Sequence, residues 1–590
     1  MRPQGMPVRA VCCAVLASIT TTATLAQGVP SGPATQFLYD ANGRLIGQTD
    51  PLNQGTRMTL DALGRPTAIT FADNSTAAQS WSPLDQLVQV TDPKGVATRY
   101  TRNAFGEVTS QSSPDTGTVT FKRDANGRVI EARDAKAQVT RIERDALGRP
   151  TRIRHDAGST TNFSYDPGGQ VDRLEDSSGS ISYTRDLHGR VLSATWRIND
   201  NPANPSAFAV NYGYTLGDLT GIIYPSGLKV TYRRVAGRVT GVDVLEPGRN
   251  KPWAPFVSSV AHTPLGQPKA WTWSNGDAAS RSFDTSGRMT STEFARYTYD
   301  AASRIVGITQ DLWASRTVVS GTATVSEVYR VPVSWTAAYD NRNRLIRLER
   351  EGAKSVYSYD ANSNRLQALE MQGSDVDLEG SFEQPGMAQG VQVALKVDAG
   401  SNRLLGFSQT LTRMQAGQAV RTSVTNVAYE VDANGAMTSD GLRHFVYGDD
   451  NRLARVEIVK DGEAAAVRYL HNGWGQRVFK SEPQALQTLP KESELGNAFV
   501  NWLRKNFGWM LSNPGAGKAS LGQAFIYGDG EIPRWALLGE YDNGSSAGKG
   551  TTEIIWLPVA GGGAIPIGLY RNGKLYAVHT DLAPEKRIPC

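Results

Sequence analysis

The sequence predicts an all-β fold, a single wide, curling antiparallel sheet made from one hairpin repeated many times, on three observations. The first is a register: Asp40, Asp61, Ser82, Asn103, Asp124, Asp145 and Asp166 stand 21 residues apart, each followed three places on by Gly43, Gly64, Asp85, Gly106, Gly127, Gly148 and Gly169. A period held over so many copies marks one supersecondary unit stacked on itself, because a lone unit cannot bury its own apolar face. The second is the alternation of polar and β-branched residues between these points, as in Arg128-Val129-Ile130-Glu131-Ala132-Arg133. The third is composition: hydrophobic residues are 39% of the chain, ordinary for a folded protein, while 59 of the 590 residues are Gly, as a turn-rich structure requires.

In chain order, residues 1–26 read as a secretory signal. Arg2 and Arg9 supply the positive end, Ala10 to Ala26 the apolar core and Thr24-Leu25-Ala26 the small-residue cleavage site, so the mature chain is expected to begin near Gln27. No Leu-small-small-Cys sequence precedes Cys12, which argues against lipidation, and no stretch is long and apolar enough for a stable membrane span. The expected location is secreted, periplasmic or cell-surface. Cys12 and Cys13 fall in the signal, leaving Cys590 without an internal disulfide partner; it is an inert terminal thiol or an intermolecular bridge.

The repeats follow over 27–481. Tyr39-Asp40-Ala41-Asn42-Gly43-Arg44, Leu60-Asp61-Ala62-Leu63-Gly64-Arg65 and Arg144-Asp145-Ala146-Leu147-Gly148-Arg149 are turns: the Asp carboxylate accepts from N–H groups ahead of it, and Gly takes a positive φ. A second, looser turn lies midway, as in Asp92-Pro93-Lys94-Gly95 and Asp134-Ala135-Lys136, so each period is strand, turn, strand, turn. The signature persists beyond the strict register at Asp186, Asp284, Asp300, Asp340, Asp360, Asp432, Asp449 and Asp529. Insertions near 199–208, 244–256, 311–332 and 371–388 read as loops or longer hairpins. Within 482–522, Leu495, Ala498, Phe499, Trp502 and Leu503 behind Ser493 predict one inserted helix over 492–510, packed on the sheet or else docking a membrane surface or partner.

The Tyr-Asp-x-x-Gly-Arg pattern, with Tyr212-Gly213-Tyr214, Tyr224-Pro225-Ser226-Gly227 and Tyr232, resembles the YD repeats of the bacterial Rhs family, which also occur in insecticidal toxin-complex C proteins and teneurins. The resemblance implies a ribbon of hairpins spiralling into a hollow β-shell around a toxin segment. Over 523–590, Trp535 to Asp542, Ile554 to Pro558 and Leu575 to Asp581 resemble the approach to the Rhs core, but Leu582 to Cys590 stand where relatives continue with His-Leu-Gly-Thr-Pro. The expectation is a partial shell, truncated within the core region, lacking the self-cleaving Asp motif and the toxin.

The residues argue against chemistry. Lys plus Arg number 62 against 57 Asp plus Glu, and a net charge of +5 over this length is too dilute for a nucleic-acid footprint. Gly544-Ser545-Ser546-Ala547-Gly548 fits the nucleophile-elbow spelling but sits in a loop without a strand-to-helix turn. Gly515-Ala516-Gly517-Lys518 lacks the Ser or Thr of a phosphate loop. His155, His188, His262, His444, His471 and His579 show no ligand spacing and read as turn or strand surface residues. Catalytic, cofactor-binding and metal residues are therefore expected to be none. The function expected is a non-enzymatic scaffold, with an encapsulated or separately encoded polypeptide as partner and no nucleic acid. Two alternatives stay open: a cell-surface module binding glycans or cells through stacked Tyr and Arg, and a β-propeller enzyme or receptor, since two repeats approach the length of a blade.

Overall fold

Each turn of the 21-residue register is closed by the side chain that opens it, Asp in most copies and Ser82 or Asn103 in two. Asp61 accepts from the amides of Leu63 (3.0 Å) and Arg65 (2.9 Å) through one oxygen and from Arg65 Nε (2.7 Å) through the other. The midway turns use the same device: Asp92 accepts from the amides of Lys94 and Val96, and Asp134 from those of Lys136 and Gln138. They look looser in sequence because the residue in the left-handed region there is variously Asn53, Asn74, Gly95 or Ala137, with φ between 61° and 93°.

The computed structural model describes residues 34–201, 204–251, 255–320, 323–372, 389–415, 418–460, 463–485, 521–544, 550–559, 562–580 and 588–589. The signal, the helix expected over 492–510, Gly515–Lys518, Ser545–Gly548 and Cys590 lie outside them. The described residues are all β. Strands β1 (Gln36–Tyr39) to β23 (Ala278–Ser280) form a 23-stranded sheet, β24 (Ser282–Phe283) to β34 (Gln418–Ala428) an 11-stranded one, and β35 (Glu430–Val431) to β47 (Ile588–Pro589) one of 13. Each strand pairs antiparallel with its predecessor and successor, save that β41 (Gln484–Ala485) turns back onto β39 (Glu463–His471) while β40 (Arg477–Ser481) pairs β42 (Gly522–Tyr527). At the sheet boundaries the chain runs on without a break: Arg281 N still donates to Lys269 O of the first sheet (2.7 Å) and Tyr429 N to Leu405 O of the second (2.9 Å) before the next strand pairs forward. The three sheets follow one another along one continuous ribbon of chain.

The ribbon curls because its register slips by one residue just before each Asp turn, at Leu38/Tyr39, Thr59/Leu60, Ser80/Trp81, Ser164/Tyr165, Thr298/Tyr299, Ala338/Tyr339 and Ser358/Tyr359. A bulge bends its strand and adds twist. Placed once per hairpin on the same edge, these bulges accumulate into a spiral. The expected insertion at 311–332 is a tall hairpin of β27 (Ile305–Ser320) and β28 (Ala323–Tyr339).

Burial is uneven. Along 36–173 the wall is one sheet thick, and its only buried hydrophobic residues are Ala77, Val96 and Val139. A true core forms where the end of the ribbon folds across 181–279. There Trp196, Val210, Tyr212, Leu219, Ile222, Tyr224, Val230 and Val242 pack against Phe479, Ile526, Leu538, Ile554, Trp556 and Ile567. Packing thus closes one end of the wall with two layers, and the rest depends on turns and edges.

Candidate functional site

The element that recurs is a latch between one repeat and the next. In the Tyr versions the phenol donates across to the preceding strand: Tyr165 OH to Pro150 O (2.6 Å), Tyr299 OH to Met289 O (2.6 Å), Tyr339 OH to Ile305 O (2.7 Å) and Tyr359 OH to Leu345 O (2.7 Å). The Arg that ends the preceding turn lies over the same ring, Arg149 on Tyr165 at 4.2 Å, Arg304 on Tyr339 at 4.8 Å and Arg344 on Tyr359 at 5.2 Å. Burial pushes the Tyr165 and Tyr339 hydroxyls up from their ordinary range, keeping them donors. Where Arg replaces Tyr the carbonyl is still served. Arg102 Nε donates to Leu87 O (3.1 Å), Arg123 to Val108 O (3.0 Å), Arg144 to Val129 O (3.2 Å) and Arg234 to Leu219 O (2.9 Å), and each also reaches back to its own turn.

A second arrangement joins distant parts of the chain. The midway turns of the first gyre (36–280) meet the Asp turns of the second (282–476), through hydrogen bonds between residues 267 to 317 apart in sequence. Asn402 Nδ2 donates to Asp92 (2.8 Å) and Asp115 (3.1 Å), Asn434 Nδ2 to Asp134 (2.7 Å), and Gly473 N to Asp176 (2.6 Å). Lys94 Nζ donates to the carbonyls of Asp398 and Ser401, Ser159 bonds Asp449, and Arg342 lies over Phe71 at 4.1 Å. The turns touch so closely that a Cβ on Gly435 would strike Asp115 O and one on Gly117 would strike Ala433 O; both residues have positive φ. This is a polar seam between successive gyres.

The closure is held differently. Tyr224 OH, Tyr232 OH and Trp273 Nε1 each donate, at 2.8 Å, to the carbonyls of Ile554, Trp556 and Ile567. Beside them Glu553, fully buried, accepts from Ser226 N (3.1 Å), Ser226 Oγ (2.6 Å) and Tyr541 OH (2.8 Å). Burial pushes its carboxyl up, against the pull of those three donors. The group satisfies a turn of the wall from inside the closing layer.

The periodic strand-turn-strand latch is the unit that the family described as RHS Repeat spells out, and that family matches residues 39–76, 81–118 and 123–161 in tandem. Residues 39–161 are thus built of RHS repeats. No curated protein matches the chain in sequence. Its RHS wall is similar to the crystal structure of TcdB2-TccC3, at 13% identity and a TM-score of 0.58, covering 94% of this chain and 30% of that one. It is similar too to the Photorhabdus luminescens Tc holotoxin pore with the TccC3-D651A mutation, at 14% identity and TM-score 0.58, covering 94% and 29%. A third likeness, TcdB2-TccC3 without its hypervariable C-terminal region, has 13% identity and TM-score 0.57 and covers 94% and 29%. The chain spans about a third or less of the length of these structures, and the likeness is one of fold.

Within the RHS wall the β-propeller alternative does not hold, because strands follow one another along a continuous ribbon and form no separate blades. Of the six His residues, His188 is exposed at a turn and His155 shares a hydrogen bond with Thr140 Oγ1 (2.9 Å). His579 departs from the surface reading: it lies against Trp273 at 4.4 Å and its Nδ1 is 2.5 Å from Glu293 Oε1. Sequence reasoning missed Glu553, Ser226 and Tyr541 as a group. The one signal available was a Glu opening the apolar run Ile554-Ile555-Trp556-Leu557.

Proposed function

We propose that this RHS wall is a container: a scaffold that encloses a polypeptide and shields it, with no bond-making residues of its own. The observation that carries the reading is the division of labour in the fold. A wall one sheet thick is wound on itself edge to edge, and an apolar second layer is spent only on closing one end. Such a construction leaves, among the described residues, an inner face on which no second layer packs along 36–173, which suits enclosure and makes a poor catalytic cleft. The similarity in fold to toxin-complex shells supports the same reading. The sequence at 1–26 supports export to the periplasm or beyond. Display of glycan-binding rings is the weaker alternative, because the repeat Tyr and Arg side chains are spent on latches.

The test is protection. The chain is co-expressed with a permanently unfolded reporter polypeptide, purified and treated with trypsin, and the particles are imaged. The expected result is a particle with a lumen and a reporter that survives digestion. A solid particle, or a reporter digested equally fast with and without the chain, overturns the proposal.

A further inference from the structure

Successive residues of a strand face opposite sides of its sheet, so the charge on the wall can be followed side by side. Residues directly opposite one another carry one face from Met58 through Val90, Phe121 and Ile153 to Leu174 and Trp196. This is the face on which the closing layer packs. On the opposite face stand Arg57, Arg99, Arg133, Arg154, Arg197 and Lys229, all exposed. Among the described residues none of the six has an ion-pair partner. The acids on the strands of the same face are engaged: Glu131 by Lys122 (2.7 Å) and Arg141 (3.3 Å), Glu143 by Arg152 (3.3 Å), Glu175 by Arg173 (3.1 Å), Asp243 by Arg233 (3.2 Å) and Asp172 by the Ser164 hydroxyl (2.5 Å). One side of the wall therefore carries a row of free cations, which a net charge of +5 over the whole chain conceals.

We propose that this row binds a linear acidic polysaccharide, laid along the wall across the strands. Charge complementarity and the layout of the row select that partner. The six cations sit two to four strands apart, about 10–20 Å at roughly 4.8 Å per strand, so a compact anion meets one of them and only an extended polyanion meets several. The row follows the curl of the ribbon, which a flexible chain can track, whereas a flat bilayer touches it only locally. The residues directly opposite the cations include Thr70, Gln89, Ser112, Thr120 and Thr160 and no aromatic ring. Hydroxyl and amide groups suit sugar hydroxyls, while single-stranded nucleic acid is gripped by stacking its bases on rings, which this face lacks. A guanidinium sets two parallel N–H groups against a carboxylate or sulfate, and five of the six cations are arginines. The strand arginines used here are distinct from those of the latches, and the proposal does not depend on an enclosed cargo.

The experiment is fluorescence anisotropy of labelled polygalacturonate titrated with the purified chain, at about 50 and about 200 mM salt. Its methyl ester serves as the uncharged polymer, and oligothymidylate and phosphatidylglycerol vesicles as rival polyanions. Binding to polygalacturonate is expected at the lower salt, weakened about tenfold or more at the higher, with no binding to the ester. The variant Arg57→Gln, Arg99→Gln, Arg133→Gln, Arg154→Gln is expected to keep the wild-type circular dichroism spectrum and to bind about tenfold or more weakly. Removing the same charge from exposed lysines outside the row, in Lys251→Gln, Lys269→Gln, Lys396→Gln, Lys574→Gln, is expected to change affinity less than about twofold. A misfolded arginine variant is replaced by the pair Arg57→Gln, Arg99→Gln, expected to shift affinity in the same direction. Absence of binding at the lower salt, equal binding of the ester, or equal losses in the arginine and lysine variants overturns the proposal. Tighter binding of oligothymidylate or of vesicles assigns the face to that partner and overturns it too.

Discussion

At the scale of the residue, the repeat signature is a set of interchangeable solutions to one requirement, a donor for a carbonyl at the start of the preceding strand. A Tyr hydroxyl serves Pro150 and an Arg guanidinium serves Val129, at the same place in the repeat. That equivalence explains why the position before the Asp alternates between Tyr and Arg without harm to the register. Tyr165→Phe keeps the ring under Arg149 and loses only the bond to Pro150 O. The expected cost is about 1 kcal/mol, read as roughly fivefold faster hydrogen exchange at the amides joining β12 (Pro150–His155) to β13 (Thr160–Tyr165). Unchanged exchange there would show that the phenol packs without contributing its bond.

At the scale of the element, each hairpin is held to its neighbours by a ladder, a latch and, over much of the ribbon, the seam. The seam is the weakest of the three, since it consists of scattered part-buried contacts made largely by side chains and no continuous backbone ladder. Asn402 is its busiest member, bonded to Asp92 and Asp115 and accepting from Asn364 Nδ2 (2.7 Å). Asn402→Ala leaves two carboxylates short of a donor at a cost of about 1–3 kcal/mol. Exchange should quicken in the turns at 92–96 and 113–117 and stay unchanged around Tyr224 and Tyr232, because the two regions share no partners. Equal acceleration in both would mean that wall and closure open as one unit.

At the scale of the whole molecule, wall and closure carry carboxylates with opposite dependence on acid. Hydrogen bonds hold Asp61 and Asp40 below their ordinary 3.8, from the Arg65 side chain and amide in the first case and led by the Arg44 amide in the second. Their stabilisation is present above that value and is lost as pH falls through the lowered folded ones. Glu553 runs the other way: its raised carboxyl favours the folded state fully below the ordinary 4.5 and loses that contribution as pH rises through the folded value. Acid should therefore loosen the turns of the wall while sparing the closure. Digestion with pepsin at about pH 3, below the ordinary carboxylate range, should cut within 36–173 before it cuts within 522–579. Early fragments from the closing layer would refute this ordering.

The sequence by itself determined the local structure: where turns fall, that the segments between them are strands, that neighbours pair in order and that the sheet curls. These follow from contacts within one or two periods, which the Asp, Gly, Tyr and Arg spacing records directly. The helix expected over 492–510 lies outside the described residues. Tertiary structure alone decided which edge is seamed, and that the core is gathered at one end. No period could reveal that Asp134 meets Asn434 or that Glu553 meets Ser226, since partners some 300 residues apart are set by the accumulated curl of every hairpin between them. The apolar tips were visible in the sequence as Leu63, Leu84 and Phe105, but only the wound ribbon shows that they are left exposed.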